Sequence, residues 1–200
     1  MNPFTPKTFS IPSLKGISAK NIEEHLKLYQ GYVKNSNLIR EKLGQYSKDM
    51  EANSYAINEL LRRFSFEYNG MRNHEVYFSS FEGGPKPLPQ DSELMKRMLK
   101  VAPSFDAWIA GFKAFASTVR GIGWATIWYD SKIDDLAVTW IDEQHLGQLQ
   151  GCAMILGLDL WEHSYVADYQ PSGKKNYIED FFANVNWEII ENNLMAAKSK

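Results

Sequence analysis

Apolar and polar positions follow two rhythms along the chain. From Ser18 to about Phe81, SAKNIEEHLKLYQGYVKNSNLIREKLGQY and SYAINELLRRFSFEYNGMRNHEVYFSSF carry apolar or aromatic residues at helical spacing, which predicts two long antiparallel helices. EGGPKPLPQDS, residues 82–92, follows with two glycines and three prolines, a composition that excludes helix interior and central strand and marks the best boundary in the chain. Beyond it, SELMKRMLKVA and SFDAWIAGFKAFASTVR read as helices, the second with Ser104 as N-cap. The texture then changes. GWATIWYD and DLAVTWID are rich in aromatic and β-branched residues and are joined by SKID, which predicts an antiparallel hairpin. CAMILGLD supplies a third strand ending at Asp159. The tail NYIEDFFANVNWEIIENNLMAAK returns to helical character. The pattern predicts an α+β fold: an N-terminal long antiparallel helical hairpin over residues 1–84, then a C-terminal α/β domain over residues 85–200.

Composition narrows the function classes. With 200 residues, 44% hydrophobic and 14% aromatic, the chain can bury a substantial core. A net charge of -2, from 22 basic and 24 acidic residues without long runs of either sign, recommends neither a nucleic-acid partner nor a polybasic membrane contact. The single cysteine, Cys152, excludes an internal disulfide or a cysteine-based zinc cluster and reads as an apolar filler. The stretch MNPFTPKTFSIPSLKG lacks a signal-peptide apolar run, and nothing later reaches the roughly 18 apolar residues of a membrane span, so a cytoplasmic location is expected.

Candidate chemistry gathers at GLDLWEHSYVADY, residues 157–169, where Asp159 and His163 stand four apart in apolar, aromatic company. A buried charge is costly unless it is paired or holds a metal. The chain has four histidines, His25, His74, His145 and His163. Packing the two long helices together brings His25 toward His74, and the strand ending at Asp159 delivers the other two groups. Three imidazoles and a carboxylate suit first-row metals such as iron, manganese or zinc.

DLWEHSY closely resembles the DxWEHAYY signature of the iron and manganese superoxide dismutases. Other matches fall in the expected order: ISAKNIEEH ending at His25, Asn73-His74 followed by an aromatic pair, GGPKP at 83–87, GIGWATI around Trp124, and NVNWEII around Trp187. The resemblance implies a helical hairpin, an α/β domain with a three-stranded antiparallel sheet, and between them one manganese or iron ion per subunit held by His25, His74, Asp159 and His163. It also implies dismutation of superoxide to dioxygen and hydrogen peroxide, with Tyr32 as a proton relay at the substrate entrance and Trp124 and Trp161 as an apolar wall. Glu162 is expected to bond His163 of the other subunit in a homodimer, and Tyr165 to keep the first tyrosine of the signature.

In the family, an amide beside the metal comes from the second helix in typical iron enzymes and from the C-terminal sheet in manganese ones, and its placement tunes the potential. Here the second-helix position is Gly70. Counting back from Asp159 gives Gln144, a manganese-like arrangement that favours manganese slightly and leaves loading by either metal open. A one-residue gap would put His145 there instead.

The chain also departs from the family pattern. His25 precedes Tyr32 by seven residues where the family has eight, a spacing that keeps both on one face of an ordinary helix. Leu28 and Val166 replace a histidine and a tyrosine that meet across the family's dimer interface, and this paired loss predicts an apolar contact between subunits. Lys174 or Lys175 stands in for an arginine that helps draw in the anion. The alternative these departures support is a non-catalytic relative that keeps the fold for metal binding or a structural role. A non-haem iron oxygenase fits the ligand types but not the surrounding matches.

Overall fold

Ser18 starts the first helix as its sequence context predicts: its hydroxyl accepts the Asn21 N–H at 3.1 Å, which satisfies one of the donors that a helix start leaves free. In the computed structural model, which describes residues 2–199, helix α1 then runs unbroken over Ala19–Tyr46. After the 3₁₀ turn Ser47–Asp49, helix α2, Ser54–Ser79, returns along it. Tyr29 of α1 donates to Glu75 of α2 at 3.2 Å, and its ring packs on Phe78.

The glycine- and proline-rich stretch does break the helix. Ser80 closes the end of α2 by donating to the Tyr77 carbonyl at 2.6 Å, and Gly83 and Gly84 turn the chain with φ of 73° and 80°, a left-handed region that favours glycine. Helices α3, Glu93–Met98, and α4, Phe105–Thr118, follow, with Ser92 and Ser104 as their N-caps.

Three strands form one antiparallel sheet: β1, Trp124–Asp130, β2, Asp135–Ile141, and β3, Ala153–Asp159. Their order is β2-β1-β3, so the third strand pairs with β1 and makes it central. The first six residues of β1 are accordingly buried without alternation. The register sets Trp124 opposite both Ile141 and Asp159, so the ends of all three strands meet at one edge of the sheet.

The helical tail is divided rather than continuous. After the short α5, Val166–Tyr169, come α6, Lys174–Asn184, and α7, Trp187–Lys198, separated at Val185 and Asn186. Periodicity runs through this break because tertiary bonds cause it: Asn186 N–H donates to the Ser80 carbonyl at 2.7 Å, and Lys86 bonds with Val185 and Trp187. The core between hairpin and sheet is strongly aromatic, with Tyr77, Phe78, Phe81, Trp124, Tyr177 and Phe181 all fully buried. Each such side chain contributes on the order of 1.5–3 kcal/mol. Cys152 is a free, half-buried thiol next to β3. Among the described residues no helix is long and apolar enough to cross a membrane.

Candidate metal centre

Four elements each deliver one polar group to the space between hairpin and sheet. His25 comes from α1, His74 from α2, Asp159 from the last position of β3, and His163 from the 3₁₀ turn Glu162–Ser164. Their ligand atoms all lie within 4.8 Å of one another. Asp159 Oδ2 is the common point, with Nε2 of His163, His25 and His74 at 3.1, 3.2 and 3.6 Å. The local sequence explains how Asp159 and His163 come to face each other. Asp159 Oδ1 accepts the Trp161 N–H at 2.8 Å, and Ser164 Oγ donates to the carbonyls of Asp159 and Trp161, folding the chain into a tight turn.

The donor set fits a cation. His74 Nδ1 lies 2.6 Å from the Gly70 carbonyl, which can only accept, so Nδ1 carries the proton and Nε2 turns a lone pair toward Asp159. Nε2 of both His25 and His74 is buried without a hydrogen-bond partner. The His74 lone pair aimed at a carboxylate repels it, and a cation between the two reverses that sign. First-row ions sit roughly 2.0–2.2 Å from nitrogen and oxygen ligands, which puts ligand atoms on opposite sides of an ion at about 4.4 Å or less, comparable with the spread seen here.

Electrostatics point the same way. Burial pushes the His25 imidazole below its usual range and takes His74 down to about 3, with His25 adding to the effect, so both are neutral and able to ligate. Burial opposes charge on Asp159, but the neighbouring imidazoles of His163 and His25 prevail and hold its carboxyl below the usual range.

A second chain of groups abuts the cluster. Gln144 is fully buried; its Oε1 accepts the Trp124 indole N–H at 3.0 Å, and its Nε2 donates to the Tyr32 hydroxyl at 3.0 Å. Since an indole can only donate, Trp124 fixes which end of the carboxamide faces Tyr32. The Tyr32 oxygen therefore accepts from Gln144 and keeps its own proton for another partner. Burial raises its pKa above the ordinary tyrosine value, with Asp159 adding to the effect, so the phenol stays protonated. The Tyr32 and His74 rings meet at a tilt with centroids 5.0 Å apart, and because α1 is regular throughout, seven residues bring His25 and Tyr32 to the same face.

Of the two expected donors, Gln144 makes the bond to Tyr32. His145 lies outside the cluster, its ring edge-on to Phe66 at 5.7 Å and its Nδ1 3.8 Å from Glu143. The second-helix position is closed to an amide for a separate, steric reason. A Cβ at Gly70 would meet the Tyr32 ring at 2.6 Å, so the space a second-helix side chain would occupy is already filled by Tyr32.

A family model described as iron/manganese superoxide dismutases, C-terminal domain, matches residues 90–193. The chain belongs to the iron/manganese superoxide dismutase family. It is 33% identical over 183 residues to a superoxide dismutase of Aquifex pyrophilus named for iron, covering 89% of this chain and 84% of that one. A Pyrobaculum aerophilum dismutase, also named for iron, is 30% identical over 206 residues, 96% of this chain and 95% of the relative. One from Mycolicibacterium fortuitum named for manganese is 31% identical over 178 residues, with 88% and 83% covered. Relatives named for either metal thus share this family, and the ligand cluster does not by itself separate the two.

The remaining expected residues of the family pattern are distributed as follows. Trp161 stacks on His163 at 5.8 Å and donates its indole N–H to the Glu143 carbonyl at 3.2 Å. Tyr165 is buried behind the turn and stacks on Tyr177 at 5.4 Å. Glu162 is exposed, and His163, unlike the other two imidazoles, is 26% exposed. Lys174 is not a free cation: its half-buried amine donates to the carbonyls of Val119 and Gly121, while Lys175 is exposed. Sequence reading did not single out Gln148, and it noted Asn73 only as the neighbour of His74; both amides bond to Gln144. A polar residue in a polar loop carries no signal of such a bond.

Proposed function

We propose that the protein dismutes superoxide, using one manganese or iron ion held by His25, His74, Asp159 and His163. The observation that carries this reading is the four-group cluster within 4.8 Å, directly beside the Trp124-Gln144-Tyr32 chain of hydrogen bonds. When bound, the metal supplies a one-electron couple, so that one superoxide is oxidised to dioxygen and a second is reduced and takes up two protons to give hydrogen peroxide.

The chain's own residues bind, shield and deliver protons. His74 presents Nε2 because the Gly70 carbonyl holds its Nδ1 proton. Trp124 and Trp161 wall the cluster with indole rings and limit water there, which keeps the dielectric low. Tyr32 holds a proton at its hydroxyl oxygen, oriented by Gln144 and next to the cluster, and can give it to the reduced product and regain it from solvent. His145 is assigned no part in this relay. The placement of Gln144 on the sheet side leads us to propose manganese as the preferred metal, with iron accepted by the same ligands.

We further propose a homodimer joined through Glu162 and His163. Support comes from the exposure of Glu162 beside a half-open His163, a carboxylate next to an imidazole that a second copy can pair reciprocally. Leu28, 37% exposed, and Val166 are assigned to the apolar part of the same interface.

The test is dismutation by the purified chain after metal removal and separate reconstitution with manganese and iron, with bound metal quantified and mass in solution measured by light scattering. Activity with a stoichiometric metal in a dimer is expected. Stoichiometric metal without activity would sink the enzymatic reading and favour a non-catalytic relative.

A further inference from the structure

Gln144 stands on a turn that its own sequence does not favour. The preceding residue, Glu143, has φ of 49°, a left-handed backbone that residues with a β-carbon adopt rarely. Such a conformation persists where surrounding bonds over-determine it. The backbone pair between Asp142 and Leu146 closes the turn at its base, and three side-chain bonds hold its carbonyls. The Glu143 carbonyl accepts the Trp161 indole N–H at 3.2 Å, and the next carbonyl, that of Gln144, accepts Asn73 Nδ2 at 2.9 Å and Gln148 Nε2 at 3.1 Å. Gln148 Nε2 is also 3.1 Å from Asn73 Oδ1, so the two amides brace each other.

The placement of this brace gives it a reach beyond the turn. Asn73 adjoins His74 on α2, and Gln148 lies four residues after Gln144 in the β2–β3 connection, so the bonds tie the ligand-bearing helix to the loop that carries Gln144. On its outer side the brace borders an open cleft of about 740 Å³ lined in part by Asn69, Asn73, Gln148 and Asn193. Releasing the Gln144 carbonyl frees the backbone from which its carboxamide spans Trp124 and Tyr32.

We propose that Asn73 and Gln148 are positioning residues that clamp the Gln144 carbonyl and thereby hold its side chain in line between Trp124 and Tyr32. The clamp rests on geometry alone; only its effect on turnover rests on the dismutase reading. Gln148→Glu keeps the side-chain size but replaces the donating Nε2 by a carboxylate oxygen facing two acceptors, and Gln148→Ala removes the brace without adding charge. Gln150→Glu, at an exposed position of the same loop, controls for charge.

The indole N–H of Trp124 bonds directly to Gln144, so its nitrogen–proton resonance in the full chain loaded with diamagnetic zinc reports the orientation of that side chain. We expect both Gln148 variants to move this resonance and Gln150→Glu to leave it in place. Metal content should stay unchanged. In the manganese- or iron-loaded protein, kcat should fall about tenfold, the size typical of losing an outer-sphere partner. An unmoved Trp124 resonance in both Gln148 variants would overturn the clamp. If the resonance moves while even the parent protein fails to dismute superoxide, the clamp stands and the dismutase reading falls.

Discussion

Two carboxylates in this molecule sit in dense polar networks, and the difference between them is instructive. Asp134, with a side chain 60% exposed, accepts from the Tyr129 hydroxyl at 2.6 Å and pairs with Arg97 Nη2 at 2.8 Å; these two partners draw its carboxyl down to about 2. Its counter-charge is a permanent part of the chain. Asp159 is fully buried, and its neighbours are three imidazoles, two of which burial keeps from taking up protons. No lysine or arginine forms an ion pair with it among the described residues. A carboxylate that brings its own lysine or arginine is structural; one buried among imidazoles without such a partner suits a metal.

The largest effect that tests this contrast comes from removing a ligand. His74→Ala should take bound metal from one ion per chain to near zero and lower dismutation by more than about a hundredfold, since even outer-sphere losses cost roughly 10–100-fold. Elemental analysis alongside the activity assay reads both. Asp134→Asn should bind metal normally, and a loss of metal there would break the comparison.

Next in size is metal removal itself. Only the Asp159 network should respond, with stabilisation of about 2.7 kcal/mol when free metal is a hundred times its dissociation constant. Thermal melting with and without chelator should show this shift in the parent and in Asp134→Asn alike. Its disappearance is expected in His74→Ala.

Gly70→Ala sharpens the picture of what packs beside Asp159. The added Cβ meets the Tyr32 ring at 2.6 Å, so we expect about 1–3 kcal/mol of destabilisation in urea unfolding and reduced activity with metal content retained. Unfolding unchanged from the parent would mean that Tyr32 moves aside freely.

The smallest effect is the pH dependence of the Asp134 network. Its folded-state pKa is depressed to about 2 from an ordinary value near 3.8, so the stability it contributes is present above about pH 4 and is lost as pH falls toward 2. The stability difference between parent and Asp134→Asn should therefore shrink over that window in acid denaturation. A difference that stays constant down to pH 2 would assign Asp134 no ionised role.

Much of the candidate site was legible because its residues sit at fixed intervals within single elements. Ser104 read as an N-cap from local chemistry and acts as one, and Ser18, where the helical pattern begins, caps the first helix. The seven-residue step from His25 to Tyr32 could be laid on a regular helix, and the four-residue step from Asp159 to His163 belonged to a recognisable motif. Lys174 was legible only as a charge, because nothing in QPSGKKNY announces the Val119 and Gly121 carbonyls that absorb its amine.

By itself the sequence determined the helical hairpin, the three strands, the four residues that cluster as candidate ligands and the family to which the chain belongs, because periodicity, capping and motif spacing are local properties. Tertiary structure decided which strand is central, where the tail helix breaks, and which of Gln144 and His145 reaches Tyr32. The break at Val185 depends on bonds to Ser80 and Lys86, about a hundred residues away in the chain. The choice between Gln144 and His145 depends on the left-handed turn at Glu143 and on bonds from Asn73, Gln148 and Trp161. A one-residue shift in a loop redirects a side chain entirely, and only the partners that hold the loop determine where that side chain points.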